Sequence, residues 1–151
     1  MKEFESIEDV LEFAIEREQE AADFYNNLAK NASDKVMRDT FEQYAKEEMG
    51  HKARLQKIKD GGTYTLKQGD TMDLKIGDYL VGGKVSENMS YQDALILAMK
   101  REKSAYKLYM KLSEKAPSLE LEILFRDLAN EEAKHKLRFE TEYDDIVLRD
   151  N

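Results

Sequence analysis

Glu47-Glu48-Met49-Gly50-His51-Lys52 recurs, 84 positions further on, as Glu131-Glu132-Ala133-Lys134-His135-Lys136. Each copy sets a glutamate and a histidine three residues apart within a run of good helix formers. His51 and His135 are the only histidines of the chain. On an α-helix, positions i and i+3 share a face one turn apart. Outward from these two stretches the same offset holds. Ser6 matches Ser90, Asp9 matches Asp93, Glu18 matches Glu102, and Tyr25 matches Tyr109. Leu28 matches Leu112, Phe41 matches Phe125, Ala45 matches Ala129, and Arg54 matches Arg138. No gap is needed, so the chain reads as two copies of one helical hairpin about a pseudo-two-fold axis.

Helix breakers mark the ends of those hairpins. Six of the seven glycines lie between Gly61 and Gly83, and Pro117 is the only proline. The spacing predicts helices over about 7–30, 34–59, 91–115 and 118–143. Ser6 and Ser90 each have an aspartate three residues on, a capping pattern. Ser33 or Asp34 opens the second helix, Gly61-Gly62 follows its end, and Pro117 is expected in the first turn of the fourth. Connections of a few residues make helices one and two antiparallel neighbours, and likewise three and four. Residues 60–89 then form one long crossover, in which Tyr64-Thr65-Leu66 and Tyr79-Leu80-Val81 read as short strands or a turn of helix. The expected fold is all-α: a single four-helix bundle over 6–143, with hairpins 6–59 and 90–143 and a tail at 144–151.

Composition removes several classes of function. With no cysteine among 151 residues, disulfides, thiolate zinc, iron–sulfur sites and a cysteine nucleophile are excluded within this sequence. A formal net charge of −8 without a basic stripe argues against nucleic acid as a partner. No apolar run approaches the roughly 18–20 residues of a membrane span. The acidic start, Met1 to Ser6, lacks the apolar core of a signal peptide, so a soluble, cytoplasmic protein is expected.

Helical periodicity then puts charge where a core should be. Val10, Ala14, Glu18, Ala21, Tyr25 and Leu28 form one stripe, and Ala94, Ala98, Glu102, Ala105, Tyr109 and Leu112 repeat it. The second helix aligns Met37, Phe41, Tyr44, Glu48, His51, Leu55 and Ile58. The fourth aligns Leu121, Phe125, Leu128, Glu132, His135 and Phe139. Glu48 and Glu132 lie on their stripes, whereas Glu47 and Glu131 lie off them. Four glutamates and two histidines therefore point inward, and burying that much negative charge needs a compensating cation. Two divalent ions balance four carboxylates. One Glu from each of two helices plus Glu-x-x-His from each of the others is a dinuclear ligand set. Oxygen-rich ligation without sulfur favours iron or manganese over zinc or copper. Tyr25 and Tyr109, two turns beyond Glu18 and Glu102, read either as core aromatics or as donors to a carboxylate on a facing helix. Gly50 is expected to permit close helix packing.

At these residues the sequence resembles the rubrerythrin branch of the ferritin-like superfamily. The resemblance rests on Glu18/Tyr25 and Glu102/Tyr109 together with Glu48/His51 and Glu132/His135, and covers residues 6–59 and 90–143. It implies a ferritin-like four-helix bundle holding two iron ions. Glu18 and Glu102 are then terminal ligands, Glu48 and Glu132 bridge, and His51 and His135 each bind one iron. Tyr25 and Tyr109 hydrogen-bond the ligand carboxylates. Two departures stand out. The cysteine-bound rubredoxin domain of full-length relatives has no counterpart here. Ala105 also stands one turn past Glu102, in the region where rubrerythrins usually carry a further glutamate on the third helix. The resulting symmetric set also resembles that of bacterioferritin. Met49 follows the first bridging glutamate, where bacterioferritin places its haem-binding methionine, but haem is not expected because the rest of that match is weaker.

The resemblance implies a non-haem di-iron oxidoreductase that reduces hydrogen peroxide, with an external electron donor. A ferroxidase using dioxygen, an iron-binding or storage protein, and a metal-stabilised bundle that docks a partner are the rivals. Manganese could replace iron. A homodimer or higher homo-oligomer is expected because bundles of this kind often pair along a helix face.

Overall fold

The computed structural model describes residues 2–4, 6–61, 72–74 and 89–150. In chain order they form strand β1 (Lys2–Phe4), helix α1 (Ile7–Lys30), helix α2 (Lys35–Gly61), strand β2 (Met72–Leu74), helix α3 (Tyr91–Glu114) and helix α4 (Leu119–Asp150). The chain divides into two compact units, Met1–Lys75 and Ile76–Asn151, with one helical hairpin in each. Helix α1 packs along α2, and α3 packs along α4.

Local chemistry explains why the helices start where they do. The Ser6 hydroxyl accepts from the Asp9 amide at 3.1 Å, and Ser90 does the same for Asp93 at 3.1 Å. Helix α2 is capped by Asp34, whose carboxylate accepts from the Met37 amide at 2.8 Å. Helix α4 is capped by Ser118, which accepts from the Leu121 amide at 3.2 Å. All four caps obey the 84-residue offset, although an aspartate in one copy becomes a serine in the other; either oxygen satisfies an amide that lacks an intrahelical partner. Pro117 therefore precedes the cap of α4 and does not lie in its first turn. A proline there restrains the preceding residue to extended backbone and keeps the α3–α4 turn from continuing as helix.

Two differences from the sequence reading have physical causes. Helix α4 runs to Asp150, so 144–150 is helix and not a tail. The repeat places its end at 143, but Gly61, the last residue of α2, is replaced by Asp145, and nothing there interrupts the hydrogen-bond ladder. The second difference is a short antiparallel pairing of β1 with β2, with Lys2 opposite Leu74, Glu3 opposite Asp73 and Phe4 opposite Met72. Three-residue strands are too short to show a period of two. The strand candidates 64–66 and 79–81 lie outside the described residues.

In the first unit Ile7, Val10, Leu11, Ala14, Leu28, Met37, Phe41 and Leu55 are fully or almost fully buried. Leu95, Ala98, Leu112, Leu121, Phe125, Leu128 and Phe139 are buried in the second. Each large apolar side chain contributes roughly 1.5–3 kcal/mol on burial. At the hairpin margin the Lys59 ammonium donates to Glu12 at 3.0 Å. That hydrogen bond, and the negative charges of Glu12, Asp60 and Glu8, hold the lysine pKa above its usual value. The stabilisation is present below the ordinary lysine pKa and is lost as pH rises through the raised one. Among the described residues no helix is long and apolar enough to cross a membrane.

Gly50 corrects one expectation. A Cβ at this position would meet nothing within 4 Å, so close helix packing does not account for the glycine. An exposed glycine inside a helix costs backbone entropy that alanine would not. Gly50→Ala should therefore raise the unfolding free energy by about 0.5–1 kcal/mol, measured by urea denaturation of the metal-free chain.

Candidate metal centre

Each hairpin builds the same trio. In the first, α1 supplies Glu18 and α2 supplies Glu48 and His51, and the three are 2%, 1% and 5% exposed. In the second, α3 supplies Glu102 and α4 supplies Glu132 and His135, at 2%, 1% and 4%. Glu-x-x-His places carboxylate and imidazole on adjacent turns of one helix, and the antiparallel neighbour brings its own glutamate to the same level. Within each trio, one oxygen or nitrogen of every residue lies within 4.8 Å of the others. His51 Nδ1 is 3.6 Å from Glu18 Oε2 and 3.7 Å from Glu48 Oε1. His135 Nδ1 is 3.4 Å from Glu102 Oε1. In both hairpins, then, Nδ1 is the imidazole nitrogen turned to the carboxylates.

These separations suit a shared cation better than direct hydrogen bonds. Good N–H···O bonds cluster near 2.9 Å. Two ligands each roughly 2.1 Å from a small divalent ion stand roughly 3–4 Å apart, depending on the angle between them. The donor set is two carboxylates and one imidazole, with no sulfur. Two carboxylates held this close in a water-poor interior repel one another and forgo solvation, and a dication reverses both costs. The residues present therefore fit a metal, and oxygen-dominated donors suit iron or manganese.

The structure also separates neighbours that sequence alone leaves close. Glu48 and Glu132 are fully buried, whereas Glu47 and Glu131 are only half-buried. Tyr25 and Tyr109 are buried at 1% exposure each. Tyr25 stacks on Phe41 with ring centroids 6.0 Å apart and lies 5.9 Å from Tyr44. Tyr109 stacks on Phe125 at 6.3 Å. These aromatic layers lie next to the trios along the same stripes and fix the helices that carry them. Ala21 and Ala105 are half-buried, and Ala22 is the fully buried alanine of α1. Met49 faces outward at 42% exposure.

Sequence reading missed what surrounds the first trio. Lys52, next to His51, donates to Gln19 at 2.6 Å, and Gln19 donates to Asp23 at 2.9 Å. This chain ties α2 to α1 beside Glu18. In the second hairpin Lys136 instead donates to Glu140 on its own helix. Glu140 has its repeat counterpart in Gln56, and Asp23 has its counterpart in Lys107, so the repeat conserves the lysine but not its acceptor. Ser104 and Ser113 are buried polar side chains that the stripe pattern does not flag; Ser113 donates to the Glu122 carbonyl at 3.3 Å.

Helical hairpins that each bury a Glu/Glu/His trio define an all-α, carboxylate-rich metal-binding class of protein. The Rubrerythrin family model matches residues 5–91 and 93–151, and the chain belongs to that family. A solved structure from Thermotoga maritima, described provisionally as a ferritin-like diiron-carboxylate protein, is 17% identical. It covers 95% of this chain and 98% of its own, with a TM-score of 0.74. A hypothetical protein from Pyrococcus furiosus is 28% identical, covering 92% and 89%, with a TM-score of 0.68. No curated protein is a significant match. The fold is thus that of the ferritin-like four-helix bundles.

Glu48→Gln tests the electrostatics of the trio. Without metal, removal of one buried charge should leave stability unchanged or raise it. Manganese(II) at 100 times its dissociation constant should stabilise the parent by about 2.7 kcal/mol and the variant far less. Thermal denaturation with and without manganese reads both effects, and equal metal-induced shifts in the two proteins would count against the trio as ligands.

Proposed function

We propose that the two trios combine into one dinuclear centre and that the protein is a non-haem di-iron oxidoreductase reducing hydrogen peroxide to water. The observation that carries this reading is the repetition of the same buried Glu/Glu/His set in both hairpins of a rubrerythrin-family chain. In this reading Glu18 and Glu102 are terminal ligands, Glu48 and Glu132 bridge, and His51 and His135 bind one ion each through Nδ1. Four carboxylates and two divalent ions leave the centre neutral, which suits a site closed to water.

A bound pair of ferrous ions would supply the two electrons that peroxide reduction needs. The overall balance is H₂O₂ + 2 e⁻ + 2 H⁺ → 2 H₂O. The chain's own residues bind, orient and exclude. The imidazoles present Nδ1, and the aromatic layers of Tyr25, Phe41 and Tyr44, and of Tyr109 and Phe125, keep bulk water from the ligands. Tyr25 and Tyr109 hold ligand carboxylates in place by hydrogen bonding. These 151 residues contain no cysteine, so the electrons come from a donor outside them. Manganese can occupy the same oxygen-rich set. An acidic, cysteine-free chain fits a cytoplasmic setting with no role for nucleic acid or membrane.

A second reading, ferroxidase or iron storage, is favoured by the alanine at position 105. With no extra carboxylate at that point, the two halves of the ligand set stay equivalent. Anaerobic loading with Fe(II) followed by stopped-flow mixing separates the two. The peroxidase reading expects oxidation by hydrogen peroxide at least tenfold faster than by dioxygen; the reverse preference overturns it in favour of ferroxidase. Glu48→Ala with Glu132→Ala should abolish dinuclear binding, read as iron per chain after desalting. Two tightly held irons in that double variant would remove the basis of both readings.

A further inference from the structure

The two hairpins differ on one flank. In the second, a groove of about 420 Å³ runs between α3 and α4, and Tyr106, Ala133 and Leu137 form its apolar surface. Tyr106 is 37% exposed and Leu137 63%. Their counterparts in the first hairpin are Ala22, which is fully buried, and Ala53. There the corresponding flank is crossed by the hydrogen-bond chain from Lys52 through Gln19 to Asp23.

The repeat exchanges the acceptors of that chain for cations. Lys103 stands in place of Gln19, Lys107 in place of Asp23, and Lys111 in place of Asn27. These three lysines follow one another at four-residue spacing on α3, where like charges repel. Among the described residues no hydrogen bond or ion pair engages Lys103 or Lys107. The acid of the groove, Glu140, is held by Lys136 on the opposite wall, so that pair is neutral. Lys103 and Lys107 therefore leave two uncompensated positive charges at the groove, on a chain whose formal net charge is −8. An anion seated between them would relieve their repulsion. The groove also lies beside the trio. Lys103, Ala133 and Lys136 directly follow Glu102, Glu132 and His135 in sequence. Groove and ligands thus share one level of the hairpin, turned about 100° from each other on each helix.

We propose that this groove seats the external electron donor, and that the donor is a small flat aromatic carrier with an anionic tail, of the flavin mononucleotide type. The ring system stacks on Tyr106, its apolar edge lies against Ala133 and Leu137, and the phosphate sits between Lys103 and Lys107. The volume falls within the roughly 300–1,000 Å³ of small-molecule sites. Burial of the ligands selects the kind of carrier. Glu102, Glu132 and His135 are at most 4% exposed. A hydride carrier must touch the atom it reduces, which such burial prevents, whereas a dihydroflavin can release its electrons singly from outside. The dihydroflavin gives up two electrons and two protons and becomes flavin. Hydrogen peroxide takes up both electrons and both protons and becomes two waters. The delivery step rests on the peroxide-reducing reading; the binding site does not.

Oxidised flavin mononucleotide titrated into the metal-loaded full chain reports binding, because stacking on Tyr106 quenches flavin fluorescence. The dissociation constant should be about 100 μM or lower. Riboflavin, the same ring without the phosphate, should bind at least tenfold more weakly. Tyr106→Ala, and separately Lys103→Gln with Lys107→Asp, should each weaken flavin mononucleotide binding at least tenfold. These variants give α3 the residues that α1 already carries at Ala22, Gln19 and Asp23, and circular dichroism checks that the helices persist. In an anaerobic mixture with hydrogen peroxide, dihydroflavin should be oxidised at least tenfold faster by the parent than by the double lysine variant. Oxidation of loaded Fe(II) by peroxide alone should be equal in the two. No saturable quenching at about 1 mM, equal binding of riboflavin, or unchanged affinity in either variant would overturn the site. Binding without any difference in dihydroflavin oxidation would overturn the donor role. If peroxide fails to oxidise the loaded Fe(II) itself, the peroxide-reducing reading is at fault, and the binding measurements still decide the site.

Discussion

Burying two carboxylates beside an imidazole between two helices is costly unless a cation arrives, and the rest of each hairpin is arranged around that cost. The trio sits mid-stripe, with aliphatic and aromatic residues on both sides along the helices. A metal-free interior of this kind strains against mutual repulsion and lost hydration. The surrounding structure must therefore hold itself together by other means. Capped helix starts, stacked aromatics and fully buried leucines supply them, and they leave the ligand atoms spaced for an ion.

The internal repeat gives this arrangement its economy. Glu18 with Glu102, Glu48 with Glu132, and His51 with His135 keep the same burial and the same imidazole nitrogen facing the carboxylates. Residues a few positions away are free to diverge. Gln19 and Asp23 extend a hydrogen-bond chain from Lys52 in one hairpin, whereas Lys103 and Lys107 line an open groove in the other. Identity is retained where the ligand chemistry is demanding, and the hairpins diverge on the surface around it.

Much of the hairpin structure was legible because its signals are local. Ser6 and Ser90 cap through amides three residues away, and the 3.6-residue period identifies which glutamates point inward. Glu48 against Glu47 could be decided because their faces differ by a whole residue's rotation, about 100°. Boundaries governed by something absent were harder to read. Helix α4 continues to Asp150 because no glycine stops it, while a repeat-based expectation copies the stop from α2. Gly50 looked like a packing device, but the space around it is open. Lys2–Phe4 pairing with Met72–Leu74 joins segments far apart in sequence, with too few residues in either to carry a pattern.

The amino-acid sequence by itself determined the helices, their pairing into two like hairpins, and the six side chains that carry the candidate chemistry. Those features follow from period, spacing and repeat, which are properties of a chain read in order. Only the tertiary structure decided how far each ligand atom stands from the next and which imidazole nitrogen faces the carboxylates. It alone showed that Leu119, Ile123 and Leu137 remain exposed. Distances and exposure depend on which residues the folded chain brings against one another, and no local pattern contains that information.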